Sequence, residues 1–156
     1  MSVERRIADC DPGHPDTARL IARSDALMSA LYPAESNHFD GPDTLRQPNV
    51  RFVAAWIDGR IVGCGAVKRL PGPPAYGEIK RVFVDEAVRG RGIARAIMAV
   101  LEASLLDHGI ALVRLETGIH QPEAIGLYRR IGYVERAPFG DYRPDPLSLF
   151  MEKRLG

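Results

Sequence analysis

Arg89-Gly90-Arg91-Gly92-Ile93-Ala94 follows a β-branched run ending at Val84 and opens an amphipathic stretch from Ile93 to His108. A strand that passes into a helix through two glycines makes a place for an anion. The first amides of a helix have no partner within it, and the positive end of the macrodipole stands behind them. A phosphate reaches those amides only where no Cβ intervenes, and Gly90 and Gly92 leave that approach open. Residues 89 to 94 are therefore expected to hold the phosphates of a cofactor.

Spacing separates the known phosphate loops. A Walker loop needs Lys and then Ser or Thr after its last glycine, whereas Gly92 is followed by Ile93 and Ala94. The dinucleotide fingerprint wants a third glycine where Arg95 stands, so a nucleotide-dependent oxidoreductase is kept only as a rival, with Glu116 as its ribose-binding acid. The pattern Arg-x-x-Gly-x-Ala, preceded by Val82-Phe83-Val84-Asp85 and followed by Ala96-Ile97-Met98, resembles the pyrophosphate-binding segment of the GNAT superfamily of acyl-CoA-dependent N-acetyltransferases.

The elements around this segment follow from periodicity. Val3 to Ala8 reads as a short strand, and Leu20, Ile21, Leu27, Met28 and Leu31 recur at helical spacing over Asp16 to Leu31. Tyr32 to His38 is polar and turn-rich and reads as an exposed loop, followed by a short helix around Pro42 to Arg46. Asp58-Gly59 joins two β-rich runs, Arg51 to Ile57 and Arg60 to Arg69, as a tight hairpin. Tyr76 to Val84 extends the meander, and its broken alternation at Ile79 and Val82 predicts a bulge near Lys80 or Arg81 that splays the strand from its next neighbour. The helix from Ile93 stops at Gly109, Ala111 to Thr117 is a strand, and the right-handed crossover makes it parallel to the strand before the helix. A last helix begins at Pro122 and ends at Gly132; Tyr133 to Arg136 and Leu147 to Lys153 are the closing strands. The expected fold is mixed α/β: a mostly antiparallel sheet of six to seven strands, one parallel splayed pair, and about four helices on both faces.

Composition agrees with a single domain spanning residues 1–156: the length allows one substantial core and no more. At 46% hydrophobic and 26% charged residues with a net charge of +1, nothing recommends nucleic acid or a membrane surface as partner. Met1 to Arg6 lacks the apolar core of a signal peptide, and no stretch approaches the ~18 apolar residues of a span, so a cytoplasmic location is expected. Cys10 and Cys64 fit no metal-ligand spacing and are expected as reduced thiols, and the four histidines are scattered, so no metal is expected.

The resemblance to the GNAT superfamily extends over nearly the full chain in its order of elements. Leu127-Tyr128-Arg129-Arg130-Ile131-Gly132-Tyr133 is similar to the family's second signature, in which the tyrosine aligned with Tyr128 often protonates the departing CoA thiolate. Gln121 stands where the family usually has Asn at the start of that helix, and carries the same donor on a longer arm. Glu78 to Val84, Tyr32 to His38 and Pro138-Phe139-Gly140-Asp141-Tyr142 resemble a bacterial branch of the family.

The resemblance implies acetyl-CoA as co-substrate, with no metal. Its pyrophosphate would sit on Arg89, Gly90, Arg91, Gly92, Ile93, Ala94 and Arg95, its pantetheine arm along Val82, Phe83 and Val84, with Gln121 as a further contact. A backbone amide of Phe83 or Val82 would stabilise the oxyanion. Because an amine has a pKa near ~10, a base must take its proton. Glu78 is the candidate base, its other reading being a salt-bridged strand glutamate beside Lys80 and Arg81; His120 ranks below it. Tyr128 is the candidate acid, its other reading being a core tyrosine. Tyr32, Glu35, Asn37 and His38 are the candidate acceptor-binding residues. The expected reaction is direct transfer of an acetyl group to a primary amine of a small molecule in a ternary complex. The alternative is a non-catalytic acyl-CoA-binding sensor or interaction module. A homodimer is common among proteins this chain resembles.

Overall fold

Asp58 and Gly59 both take positive φ, 50° and 81°, and close a two-residue primed turn between β2 (Val50–Ile57) and β3 (Arg60–Leu70). From this hairpin the sheet grows in both directions. The computed structural model describes residues 4–156, so the expectation for Val3 lies outside the described residues. β1 (Arg5–Asp9) pairs with the free edge of β2, and β4 (Tyr76–Val84) pairs with β3, both antiparallel. The chain then crosses through α3 (Ile93–Asp107) to β5 (Leu112–Gly118), which runs parallel to β4. After α4 (Pro122–Arg130), β6 (Val134–Arg136) and β7 (Ser148–Arg154) complete seven strands in the order β1-β2-β3-β4-β5-β7-β6. β7 slips between β5 and β6, so the three-residue β6 forms the outer edge.

Helices cover both faces. α1 (Pro15–Leu31) and α2 (Pro42–Leu45) set Leu20, Ile21 and Leu45 against Phe52, Cys64, Ala66 and Phe83 on one side. On the other, α3 buries Ile93, Ile97, Met98, Leu101 and Leu105 against Val53, Val67, Ile79 and Leu115, and Tyr128 of α4 joins that core. Gly77 lets α3 come close, because a Cβ there would stand 2.4 Å from Leu105. A third cluster, Tyr76, Leu112, Phe139 and Phe150, folds the 137–147 loop onto the α1 side of β4, β5 and β7 through edge-to-face rings.

Two segments depart from the sequence expectation. The 32–38 stretch is a 3-10 turn (Ala34–Ser36) preceded by a buried Tyr32, not an exposed loop throughout. A second 3-10 turn, Glu86–Val88, stands between β4 and the glycine segment, with the Asp85 carboxylate accepting from the Ala87 amide. Cys10 is half-buried and Cys64 buried, and both are free thiols. No helix among the described residues is long and apolar enough to cross a membrane.

Candidate active site

Gly92 caps α3 in the left-handed conformation, φ 76°, and no side chain caps the first turn. A missing cap forgoes about 1 kcal/mol, while each of the five buried aliphatic and Met side chains of α3 contributes about 1.5–3 kcal/mol. Packing therefore fixes the start of this helix, and its leading amides are left for a ligand. Gly90 also has positive φ, 82°, and a Cβ on either glycine would meet nothing within 4 Å. The approach to the amides is open space, which fits a diphosphate.

The two central strands part beside this helix start. β4 and β5 are paired only from Gly77↔Val113 to Ile79↔Leu115. Beyond that the β4 backbone, residues 80 to 84, has no strand on its β5 side. The register of β3 against β4 also shifts here: Cys64 faces Phe83 and Ala66 faces Lys80, so Arg81 and Val82 together oppose Gly65. This is the expected bulge, with Arg81 at φ 61°. A cleft of about 890 Å³ opens between the parted strands and runs from the glycine segment to the 36–40 and 142–148 loops.

The candidate cofactor residues divide by position. Val82, Phe83, Val84, Gly90, Gly92, Ile93, Ala94, Arg95 and Gln121 line the cleft. Arg89 lines it too, with its Nε donating to the Val84 carbonyl at 3.2 Å and its guanidinium 5.5 Å from the Phe83 ring centre. Arg91 is exposed and outside the cleft wall; its carbonyl accepts from Arg5. Gln121 Oε1 accepts from the Gly118 amide at 3.1 Å and the Tyr32 hydroxyl at 3.4 Å. Tyr32 in turn accepts from the His120 amide at 2.9 Å and stacks on its ring. Tyr32 thus works as a strut from α1 to the β5–α4 turn. Its position is possible only because residue 118 is glycine: a Cβ there would lie 1.9 Å from the Tyr32 oxygen.

Tyr128 projects from α4 into the cleft wall, edge-on to Tyr133 at 5.8 Å. Burial pushes its hydroxyl up to about 12. Gly132 and Tyr133 end the helix, and the Tyr133 hydroxyl donates to Glu102 of α3 at 2.7 Å, fastening the two helices together.

Glu78 is buried at 6% exposure, lines the cleft and is ion-paired, so the salt-bridged reading is seen directly. Lys80 Nζ lies 3.5 Å from Glu78 Oε2 and 2.5 Å from Asp40 Oδ2. The Tyr142 hydroxyl donates to Glu78 Oε2 at 2.5 Å. Burial and the neighbouring Glu78 carboxylate raise Tyr142 strongly, so its proton stays in place. Glu116, on the neighbouring strand, accepts from Ser148 Oγ at 2.8 Å, and burial holds its carboxyl above the usual range against the Ser148 hydroxyl and the distant His38 and Lys80.

Of the candidate acceptor residues, Tyr32, Asn37 and His38 line the cleft, and Glu35 is exposed outside it. His38 meets the Tyr142 ring edge-on at 5.1 Å, and Ser36 Oγ donates to Asp145 at 2.6 Å, so the 36–40 and 142–148 loops close over Glu78 together. Sequence reasoning placed Lys80 beside Glu78 but gave no role to Asp40, Tyr142 or Ser148. Those three come from two separate segments, and no spacing along the chain marks them as neighbours of Glu78.

Comparison with known proteins agrees with this geometry. Residues 19–133 match the model of the Acetyltransferase (GNAT) family. The chain is similar to an IAA acetyltransferase of Azospirillum brasilense, 44% identical over 149 residues, which is 96% of this chain and 97% of that protein. It is similar to YsnE of Bacillus subtilis (strain 168), an uncharacterized N-acetyltransferase, at 34% over 131 residues, 82% and 85% of the two chains. Among solved structures, a Klebsiella pneumoniae protein assigned as an acyl-CoA N-acyltransferase superposes with a TM-score of 0.81 at 38% identity over 97% and 98% of the chains. The PaiA N-acetyltransferase of Thermoplasma acidophilum, solved with coenzyme A, shares the fold with a TM-score of 0.75 at 16% identity over 99% of each.

Proposed function

We propose, from the premise that this chain belongs to the acetyltransferase (GNAT) family and is an acyl-CoA-dependent N-acetyltransferase, that it transfers an acetyl group from acetyl-CoA straight to a primary amine of a small molecule, with both substrates bound together. The observation that carries this reading is the meeting, in one cleft, of an uncapped helix start, a parted strand edge, a buried carboxylate and a buried phenol. Acetyl-CoA supplies an acyl group already activated as a thioester.

The chain's own residues do the rest. The amides from Gly90 to Arg95, with the guanidinium groups of Arg89, Arg91 and Arg95, hold the diphosphate and the other phosphate of the coenzyme. The free side of Val82 to Val84 receives the amide-bearing arm, and an N–H of Phe83 or Val82 donates to the acetyl oxygen as negative charge gathers there. Losing one donor of this kind costs about 3–4 kcal/mol. Glu78 takes a proton from the attacking nitrogen as the N–C bond forms, and Tyr142 and Lys80 keep its carboxylate oriented. As the C–S bond breaks, Tyr128 donates to the sulfur. A phenol near 12 holds its proton more tightly than a thiol at ~8.5 does, so its main contribution is a hydrogen bond to the developing thiolate. The sulfur leaves as a thiolate on that hydrogen bond and takes its proton from water at the cleft mouth, and Glu78 gives the proton it took to the same water, so both side chains end as they began.

Two further features support this reading. The acceptor half sets two carboxylates, Asp40 and Glu78, on one lysine, Lys80, and this net negative charge suits an amine. Neither thiol is primed for a covalent acyl-enzyme: burial pushes Cys64 up to about 12 and also raises Cys10. Initial rates of CoA release, measured across a panel of amines with both substrates varied, test the proposal. Intersecting double-reciprocal lines with at least one amine are expected. Parallel lines would mean a covalent intermediate, and acetyl-CoA binding without transfer to any amine would favour the sensor.

A further inference from the structure

Arg81 is held in the left-handed region, φ 61°, within a strand. L side chains avoid that region for steric reasons. Its side chain accounts for the exception. The side chain is 8% exposed; its guanidinium pairs with Asp25 of α1 and sends both Nε (2.9 Å) and Nη2 (2.8 Å) to the carbonyl of Asp40, a fork on one oxygen. The Phe39 ring centre lies 5.3 Å from it, and the Arg81 carbonyl accepts from the Cys64 thiol at 3.4 Å. The helix, the loop and the neighbouring strand thus all grip this one residue.

The location gives the grip a purpose. The last β4–β5 pair is Ile79↔Leu115, and the bulge at Arg81 and Val82 follows directly. A bulge re-aims the strand that carries it, and here it re-aims the segment whose amides were assigned above to the acetyl oxygen. We infer that Arg81 is a positioning residue for the transfer: anchored on Asp25 and on the Asp40 carbonyl, it holds the β4 bulge that re-aims the Val82 amide, while Phe83 stays paired with Cys64 of β3. The inference rests on the proposed role of that amide. Because the Asp40 carboxylate also holds Lys80, the anchor ties the acceptor loop and the acyl-bearing strand to the same point.

Two substitutions at this position separate a backbone role from ordinary packing. Glycine takes φ 61° without steric cost, whereas alanine has neither the tether nor the freedom. Arg81→Ala is expected to lower kcat at least 30-fold while the Kd for CoA, measured by calorimetry, changes less than threefold, since the helix start is untouched. Arg81→Gly is expected to recover at least fivefold of the kcat lost in Arg81→Ala. A packing or ion-pair role predicts the reverse order, because glycine within a strand is ordinarily the weaker residue. Asp25→Asn, which removes one anchor from a half-exposed carboxylate, is expected to lower kcat at least threefold at unchanged Kd and serves if the Arg81 variants fail to fold. Glycine no better than alanine, or an unchanged kcat in Asp25→Asn, overturns the role of Arg81 alone. A wild-type chain that transfers acetyl to no amine overturns this inference together with the reaction beneath it.

Discussion

Glu78 and Tyr128 face the same cleft, and burial serves them differently. For the phenol the effect is one-directional: loss of solvation favours the neutral form, and Tyr128 rises from 10 to about 12. A group whose folded value is raised contributes stability fully below its unfolded value and loses it as pH rises through the folded value, so this contribution is complete below pH 10 and gone above about 12. The proton is therefore present wherever the protein is folded and assayed. Tyr128→Phe is expected to lower kcat about 100-fold, the lower end of what a positioned acid contributes, with little change in KM for acetyl-CoA. The kcat profile of the wild type should show no descending limb from this group below pH 10, which stopped-flow or thiol-trapping rates over pH 6–10 would check. Tyr128 was legible because a signature marks its place. Asp40 and Tyr142 were not, because what brings them to Glu78 and Lys80 is the approach of two loops across the sheet.

At the scale of elements, local rules carried most of the reading. Asp58-Gly59 closed its hairpin, the broken alternation of β4 marked its bulge, and Gly92 began α3. Tyr32 was misread as exposed because its polar neighbours describe a loop, while the reason for its burial lies some ninety residues on, in the His120 amide and the absent Cβ of Gly118. That strut fixes the turn that leads into α4 and so sets where Tyr128 stands. Gly118→Ala is expected to push the Tyr32 ring out and destabilise by about 1–3 kcal/mol, the usual range for overpacking. For a chain of this size that is a fall in Tm of roughly 2–12 °C, readable by scanning calorimetry. A Tm within 1 °C of wild type would show that the turn holds without the strut.

For the whole molecule, the decisive feature is a sheet that is continuous everywhere except between two strands of the same direction. Of the six strand pairings among the described residues five are antiparallel, and the parallel crossover through α3 places a helix start at the mouth of the one gap. The order of elements made this architecture legible from the sequence. The anchoring of Arg81 beside the gap was not, since Asp25 and the Asp40 carbonyl lie far from it along the chain. The proposed reaction has coenzyme and sheet meet at that gap. A crystal structure of the chain with CoA tests this most directly: the diphosphate oxygens are predicted within about 3.2 Å of amides between Gly90 and Arg95, with the arm lying against Val82 to Val84. A coenzyme bound elsewhere, with side chains filling the space before Gly92, would contradict it.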